Sequence, residues 1–291
     1  KPDSSTSRGL GDVYKRQADF SNDMREKMSN FRMKIKNSKL PKEIVHKEDI
    51  IIDQKNKLVL RQYSLDSQMS DKAILFFHGG GYAISNIDVY NPVASLMCEG
   101  LSSNIFSLEY SLSPEKKFPK ALEEANIAFE WLMSHGYSKE QIIICGDSAG
   151  AHLAASLLHD LKIRDKELPF LQVLIYPMVS PSLDFPSLER LGKDFLLTKE
   201  QMKWFWHYFR AEEANNLDPR FDLLKIDDNN KFWLIDFDKS YLTESKRRQR
   251  SNLTRLKSSI NKIIRNNSVI NFCDSNWEEL QESYFHSSRL E

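Results

Sequence analysis

The sequence lacks the marks of a membrane, metal-binding or disulfide-bonded protein. Its three cysteines, Cys98, Cys145 and Cys273, are widely spaced, so the chain has no CxxC pair for a metal or redox site. No apolar run approaches the roughly 18 residues that a membrane-spanning helix needs, and the polar N-terminus has no apolar stretch typical of a signal peptide. We therefore expect a cytoplasmic protein without a membrane span, a cofactor or a metal.

The sequence also lacks an excess of charge of either sign. Lys and Arg number 41, Asp and Glu also number 41, and the formal net charge is therefore zero. A chain without a positive field attracts polyanions weakly, so we do not expect a nucleic acid as partner. With 291 residues, of which 41% are hydrophobic and 28% charged, the composition is that of a globular protein. The composition does not indicate the oligomeric state.

Both ends of the chain lack the pattern of a packed domain. Residues 1–17 are polar and aperiodic, and we interpret them as a disordered tail or a cloning scar. Residues 229–291 contain no Gly, Pro or Ala, although average usage would place roughly seven Gly and Pro residues in that length. We therefore expect one folded domain over residues 18–228, followed by an anomalous C-terminal segment.

Short apolar runs alternate with helical patterns inside this domain. The runs are nearly continuous, which is typical of strands buried on both faces. They span residues 73–77, 105–110, 141–145 and 172–176. Amphipathic periodicity predicts helices over residues 89–101, 119–135 and 148–161. This alternation predicts the α/β class, with a mostly parallel sheet and helices on both faces.

A serine lies between the third predicted strand and the helix that follows it. The sequence Gly146-Asp147-Ser148-Ala149-Gly150 has the pattern G-x-S-x-G. Small residues on both sides of a serine let the helix cross close to the strand in a strained turn. We therefore predict that Ser148 Oγ projects at the carboxyl end of the sheet.

Three consecutive glycines follow the first predicted strand, in the sequence His78-Gly79-Gly80-Gly81-Tyr82. Three glycines let the backbone turn with its N–H groups facing a cavity, which is what an oxyanion hole requires. The alternative is a turn for tight packing or a phosphate cradle, but the chain lacks the G-x-x-x-x-G-K-[ST] and G-x-G-x-x-G spacings. The oxyanion hole is therefore the preferred interpretation.

These two motifs resemble those of the hormone-sensitive lipase-like α/β-hydrolases, which include bacterial carboxylesterases and arylacetamide deacetylase. The resemblance extends through residues 109–115, 118–119, 175–177, 195–198 and 218–220, in the family's order and spacing. It covers about residues 18–228 of the chain. It implies an α/β-hydrolase fold, a Ser-His-Asp triad without metal, and hydrolysis of small-molecule esters with short to medium acyl chains.

The resemblance assigns roles to individual residues. Ser148 is the expected nucleophile. The N–H groups of Gly80, Gly81 and Ala149 are the expected oxyanion donors, and His78 is expected to orient the glycine loop rather than act as a base.

The resemblance also implies a small helical cap, formed by residues 18–40 and about 181–212. The second of these segments contains an apolar stripe at helical spacing, which is more often core than binding surface. In the family the cap covers the acyl pocket. The residues expected to line that pocket are Phe31, Tyr82 and Trp206.

The other two members of the triad are absent from their expected sequence contexts. The family places its acid in Asp-Pro-Leu and its base in His-Gly-Phe, and neither follows the last matching motif. Asp238 is the nearest positional match for the acid, and His286 is the candidate base. A shifted reading frame or an assembly error near residues 229–235 would explain the mismatch, and a divergent native tail is the rival explanation. Without a base Ser148 is a poor nucleophile, so a non-catalytic, ligand-binding member of the α/β-hydrolase scaffold is the alternative function.

Overall fold

A computed structural model describes residues 45–67, 69–185, 188–189, 192–193 and 197–224. Within these residues six strands form one sheet. The strands are β1 (Val45–Asp53), β2 (Leu58–Leu65), β3 (Ala73–Phe77), β4 (Asn104–Leu108), β5 (Ile142–Asp147) and β6 (Leu171–Ile175). The α-helices are α1 (Ile87–Leu101), α2 (Lys120–Ser134), α3 (Ala149–Ile163) and α4 (Lys199–Phe209). Two short 3-10 helices span Lys139–Gln141 and Glu213–Leu217.

The strands lie side by side in the order β1-β2-β4-β3-β5-β6. β4, β3, β5 and β6 run parallel to one another, whereas β2 is antiparallel to both β1 and β4. The predicted α/β class with a mostly parallel sheet is confirmed. Because β3 and β5 are adjacent parallel strands, the residues that follow their carboxyl ends meet at one edge of the sheet.

The antiparallel pair of β1 and β2 is not among the strands that continuous apolar runs predict. β1 reads VHKEDIIID and exposes most of its side chains, while β2 alternates buried and half-buried residues. A charged turn joins them, in which Asp53 Oδ1 accepts a hydrogen bond from the N–H of Lys55 at 2.9 Å. Strands with one solvated face carry too few apolar residues to form a continuous run.

Helices cover both faces of the sheet, as predicted. Leu75 and Phe77 of β3 pack in one cluster with apolar residues of α2 and α3. Ile74 and Phe76 of the same strand point to the opposite face, where they pack with residues of α1, including Tyr90. The alternation of side chains along β3 thus fills two separate cores, which is why its sequence is apolar at every position.

The bounds of the predicted helices and strands agree with the structure to within about two residues. The largest shift at a helix start is at α1, which begins at Ile87 instead of residue 89. The side chain of Asn86 caps it by accepting a hydrogen bond from the N–H of Val89 at 2.9 Å. Apolar spacing alone predicts a helix start at residue 89, because that is the first residue of the periodic pattern.

Strand β6 differs from the expectation that all four predicted strands are buried on both faces. Its alternate residues Leu171, Val173 and Ile175 are exposed, and that expectation is wrong for this strand. β6 pairs with β5 along one edge, and no strand among the described residues pairs with its other edge. An apolar run indicates a strand suited to burial, but burial itself depends on the neighbouring elements.

Helix α4 lies in the second predicted cap segment. It begins with a capping box, in which the N–H of Thr198 donates to Gln201 Oε1 at 2.8 Å and the N–H of Gln201 donates to Thr198 Oγ1 at 3.2 Å. Its stripe residues Phe205, Trp206 and Phe209 are buried in the cluster shared with α2 and α3. The stripe therefore packs in the core, which is the more frequent role of such a stripe, rather than forming a binding surface.

Two properties of the described residues concern metals and membranes. No helix in those ranges is long and apolar enough to span a membrane. No group of three or more His, Cys, Asp or Glu side chains there is arranged to hold a metal ion. Burial raises the pKa of Cys98 to about 11 and that of Cys145 to about 12, so both thiols stay protonated near neutral pH.

Several predictions fall outside the described residues. The N-terminal tail, the first cap segment and Phe31 lie within residues 1–44. Asp238 and His286 lie within residues 225–291. These assignments remain predictions.

Candidate active site

Ser148 occupies the tight turn between β5 and α3. Its backbone has φ 53° and ψ −115°, a left-handed conformation that a residue with a side chain adopts only when the surrounding structure imposes it. The N–H of Ser148 donates to the carbonyl of Ile175 at 2.9 Å, and its own carbonyl accepts from the N–H of His152 at 3.1 Å. The turn is therefore fixed from both sides, and the serine stands between a strand end and a helix start, as predicted.

Two glycines permit the close crossing of α3 over the sheet. A Cβ atom on Gly150 would overlap the carbonyl oxygen of Phe77, and one on Gly146 would overlap the backbone of Gly150. The first turn of α3 thus lies directly against the carboxyl end of β3. This explains why the serine pattern requires glycine at both flanking positions.

The glycine loop after β3 has an unusual backbone. Gly80 and Gly81 have φ 131° and 59°, and Tyr82 and Ser85 also have positive φ. The N–H groups of Ala83 and Ile84 both donate to the carbonyl of Gly80 at 3.0 Å. A Cβ on Gly80 would overlap the carbonyl of Ile84, so the turn excludes any other residue there.

The glycine loop and the serine turn are joined by direct hydrogen bonds. The N–H of Gly79 donates to Oδ1 of Asp147 at 2.9 Å and lies 3.0 Å from the hydroxyl oxygen of Tyr90. Because Asp147 directly precedes Ser148, the loop lies at the same end of the sheet as the serine.

The N–H groups of Gly80, Gly81 and Ala149 are the predicted oxyanion donors. None of the three donates a hydrogen bond to an acceptor within the described residues. Most backbone N–H groups inside a protein donate a hydrogen bond to another group of the protein. N–H groups that have no such acceptor are suited to binding a ligand oxygen. Their role as oxyanion donors remains a prediction, which this placement supports.

His78 is buried beneath the loop. Its ring stacks on Tyr110 with centroids 4.3 Å apart, and the Tyr110 hydroxyl donates to the His78 carbonyl at 2.6 Å. Nδ1 lies 2.9 Å from the carbonyl oxygen of Gly79. A ring held in this way is suited to orienting the loop, which is the role expected of it.

His152, one turn into α3, is a site residue that the sequence does not reveal. Its Nε2 lies 2.9 Å from the carbonyl oxygen of Phe221 and therefore donates, so Nδ1 accepts from the Tyr82 hydroxyl at 2.6 Å. Burial lowers the pKa of His152 to about 4. With both nitrogens engaged and the ring fully buried, His152 is not available as the general base for Ser148.

Tyr82 and Trp206, two of the residues predicted to line the acyl pocket, are buried. They are 1% and 2% exposed, Tyr82 stacks on Phe209 with centroids 3.7 Å apart, and Trp206 packs edge-on against His152. Both belong to the core cluster in which the aromatic side chains of α4 pack against the glycine loop and α3. Their role in lining a pocket remains a prediction.

Phe205, a residue of the predicted apolar stripe of α4, packs against Gly81, one of the predicted oxyanion donors. A Cβ on Gly81 would overlap its ring. The helix of the cap therefore rests directly on the glycine loop, and Gly81 is required both by its backbone and by this contact.

A cavity of about 400 Å³ opens beside the glycine loop. Ser85, Asn86, Glu109 and Ser111 contribute to its lining, and Ser148 does not. Burial raises the pKa of Glu109, whose Oε2 accepts a hydrogen bond from the N–H of Ile87 at 2.8 Å. The carboxylate is thus used to fix the start of α1.

The geometry does not complete a triad. Within the described residues, Ser148 Oγ makes no hydrogen bond to a histidine. Asp238 and His286, the predicted acid and base, lie outside these residues, and their roles remain predictions.

Two family models match the chain. One, described as alpha/beta hydrolase fold, matches residues 74–247. The other, described as the lipopolysaccharide kinase (Kdo/WaaP) family, matches residues 217–284. The second match begins at residue 217, overlaps the first over residues 217–247, and covers most of the anomalous C-terminal segment.

Two curated relatives and a solved structure are similar to part of the chain. Ethyl acetate hydrolase of Pseudomonas putida is 32% identical over 164 residues, which is 55% of this chain and 52% of that protein. Carboxylic ester hydrolase LipN of Mycobacterium tuberculosis is 31% identical over 55% of this chain and 45% of its own length. The chain therefore spans about half the length of these relatives. The Francisella virulence factor BioJ is 33% identical over 72% of this chain and 70% of that chain, with a TM-score of 0.64.

Proposed function

Since the chain belongs to the α/β-hydrolase fold family, we propose that it is a serine carboxylesterase acting on esters with short to medium acyl chains. The observation that carries the proposal is the junction of two motifs: a strained serine turn is hydrogen-bonded to Gly79 of the glycine loop, and the N–H groups of Gly80 and Gly81 in that loop donate no hydrogen bond within the described residues. The names of the relatives, ethyl acetate hydrolase and carboxylic ester hydrolase, support the same reaction.

In this reaction Ser148 Oγ attacks the ester carbonyl carbon and gives up its proton to a base. The carbonyl oxygen becomes negative and accepts hydrogen bonds from the N–H groups of Gly80, Gly81 and Ala149. Collapse of the intermediate expels the alcohol, which takes up the proton, and leaves an acyl group on Ser148. Water then attacks the acyl carbon by the same steps and releases the acid.

The base is the open part of the proposal. His152 is excluded by its burial and its two hydrogen bonds. If residues 229–291 are native, we propose His286 as the base and Asp238 as the acid. We propose a small-molecule ester as the substrate and the cytoplasm as the compartment. If residues 229–291 are not native, the chain retains the ester-binding geometry and has little turnover.

We further propose that residues 18–228 form the hydrolase domain and that residues 229–291 are of other origin. The lack of Gly, Pro and Ala in the latter supports a separate origin for it, and so does the match of residues 217–284 to a kinase family. The hydrolase match extends to residue 247, so the two matches themselves overlap across the proposed boundary. Resequencing the gene across codons 220–291 tests it. A frame that restores Asp-Pro-Leu and His-Gly-Phe would show a sequence error, and an unchanged frame would show a native segment.

The function is tested by hydrolysis of p-nitrophenyl acetate and butanoate by the full chain. Ser148→Ala should lower turnover at least about 1,000-fold, because the variant has no nucleophile. Ser134→Ala is the matched control, since that serine is exposed at the end of α2 and should leave turnover unchanged. Equal turnover by Ser148→Ala and the wild type would refute the nucleophile. Saturable binding of the esters without any wild-type turnover would favour the ligand-binding alternative.

A further inference from the structure

We propose that Asp147 is a positioning residue that holds the oxyanion loop in register with Ser148. The inference rests on the proposed function, since it concerns the same site. It goes beyond the motif, because the pattern G-x-S-x-G leaves the residue before the serine unspecified.

The carboxylate of Asp147 is buried, and among the described residues it accepts hydrogen bonds from three separate parts of the chain. Oδ1 accepts from the N–H of Gly79 at 2.9 Å, and Oδ2 accepts from the hydroxyls of Tyr90 at 2.8 Å and Tyr176 at 3.3 Å. The donors come from the glycine loop, from α1 and from the segment after β6. One side chain thus joins three elements at the carboxyl edge of the sheet.

Gly79 is shaped to receive this carboxylate. A Cβ on Gly79 would overlap Oδ2 of Asp147 and lie 2.9 Å from the Tyr90 hydroxyl oxygen. Unlike Gly80 and Gly81, Gly79 is not among the residues with positive φ. Its lack of a side chain is therefore explained by the approach of Asp147 and Tyr90 rather than by its own backbone conformation.

The two residues joined by the hydrogen bond from Gly79 to Asp147 are each next in sequence to a residue that the reaction needs. Gly79 directly precedes Gly80, and Asp147 directly precedes Ser148. A displacement of about 1 Å between nucleophile and donors can cost two orders of magnitude in rate. The hydrogen bond from Gly79 to Asp147 therefore links the Gly80 donor to the Ser148 nucleophile through one residue on each side, and it fixes the distance between them.

A buried negative charge beside an oxyanion hole would oppose the oxyanion unless its own hydrogen bonds compensate it. The hydrogen bonds that Asp147 accepts from Gly79, Tyr90 and Tyr176 are strong because a carboxylate acceptor is charged. The carboxylate is thus suited to geometry rather than to proton transfer. An asparagine at this position keeps an oxygen for Gly79 and should preserve most of the function, whereas an alanine should not.

The matched control is Asp160, a second aspartate near the ends of α3. It is also buried, it accepts hydrogen bonds from Arg220 at 2.8 Å and from Asn126 at 3.0 Å, and it forms an ion pair with Arg164 at 3.2 Å. It lies at the far end of α3 from Ser148. Asp160→Ala therefore removes a comparable buried carboxylate without touching the glycine loop.

The position of the loop can be observed without any turnover. Gly79–Gly80 and Gly80–Gly81 are the two Gly–Gly bonds of the sequence, so labelling glycine with carbonyl ¹³C and amide ¹⁵N selects the N–H groups of Gly80 and Gly81 in a carbonyl-filtered NMR spectrum. Asp147→Ala should shift both signals and speed their hydrogen exchange. Asp147→Asn should shift them less, and Asp160→Ala should leave them in place.

The ¹⁵N spectrum of all ten glycines reports whether each variant is folded. If Asp147→Ala does not fold, Tyr90→Phe replaces it, since this change removes one donor to the carboxylate and should shift the same two signals. Unchanged Gly80 and Gly81 signals in the folded variant would overturn the proposal. So would equal shifts in the Asp160 variant.

Kinetics on p-nitrophenyl acetate give the second readout. Asp147→Ala should lower kcat about 100-fold with little change in KM, as expected when an oxyanion donor is misplaced. Asp147→Asn should restore most of kcat. A rise in KM alone, or no rescue by asparagine, would contradict a positioning role. If the wild type has no turnover, the proposed function fails while the NMR result still decides whether Asp147 positions the loop.

Discussion

Strands β3 and β6 look alike in the sequence and differ in the structure. Both are five residues long and largely apolar, and the sequence predicts burial on two faces for both. β3 has a paired strand on each side and helices on both faces, and all five of its residues are buried. β6 has one paired strand, and Leu171 at its start remains 47% exposed.

The difference separates what a strand's sequence determines from what its neighbours determine. An apolar run makes burial favourable, but the sheet and helices around the strand decide whether burial occurs. The candidate site lies at the carboxyl ends of β3 and β5, where neighbours are present on every side. Its fixed backbone depends on that packing, because strained residues persist only where the surroundings hold them.

The most sensitive point of the packed region is Gly150, where α3 crosses the end of β3. In Gly150→Ala the added methyl would overlap the Phe77 carbonyl in the centre of the sheet, so we expect a loss of more than about 3 kcal/mol in the free energy of unfolding. Urea denaturation measures it.

Gly100 is the control for this substitution, because it lies in α1 and a Cβ there has no atom within 4 Å. Gly100→Ala should stabilise the protein by up to about 1 kcal/mol through better helix propensity. If the two alanine variants had similar stabilities, the close crossing at Gly150 would not exist in solution.

His152 gives the packed region a dependence on pH. The pKa of this histidine is about 4 in the folded protein, against an ordinary 6.5. As the pH falls below 6.5 the unfolded chain binds the proton first, so the contribution to stability is complete above pH 6.5 and is lost toward pH 4. Lowering the pH from 7.5 to 5 should cost roughly 2 kcal/mol through this residue.

Comparing His152→Gln with the wild type isolates the effect. The variant should be less stable at pH 7.5, because one of two hydrogen bonds is lost, but its stability should fall less between pH 7.5 and pH 5. Urea denaturation at several pH values measures both slopes. Parallel slopes would mean that folding does not lower the pKa of His152.

The sequence predicted those parts of the fold and the site that depend on local pattern. The apolar runs gave β3 to β6, and the spacing of small residues placed Ser148 at a turn and His78 to Gly81 after a strand. The confirmed resemblance to the hormone-sensitive lipase-like α/β-hydrolases rests on the same short motifs. Such patterns reflect backbone geometry, which a few neighbouring residues determine.

Contacts between distant residues could not be predicted in this way. Tyr82 bonds to His152, which is 70 positions away, and His152 bonds to Phe221 after a further 69 positions. The burial of Tyr82 and Trp206 around His152 depends on these hydrogen bonds, and the spacing of apolar residues in the sequence does not predict them. The pairing of β1 with β2 was missed for another reason, since their polar faces interrupt the apolar runs.

The smallest expected effect is at the open strand. Leu171→Ala should change the free energy of unfolding by less than about 1 kcal/mol, because the side chain is already half in water. Leu75→Ala in β3 is the matched control and should cost about 3 kcal/mol, since that leucine is fully buried between two layers. Urea denaturation of both variants measures the contrast. Equal losses of stability would show that Leu171 is buried in solution, and β3 and β6 would then not differ in burial.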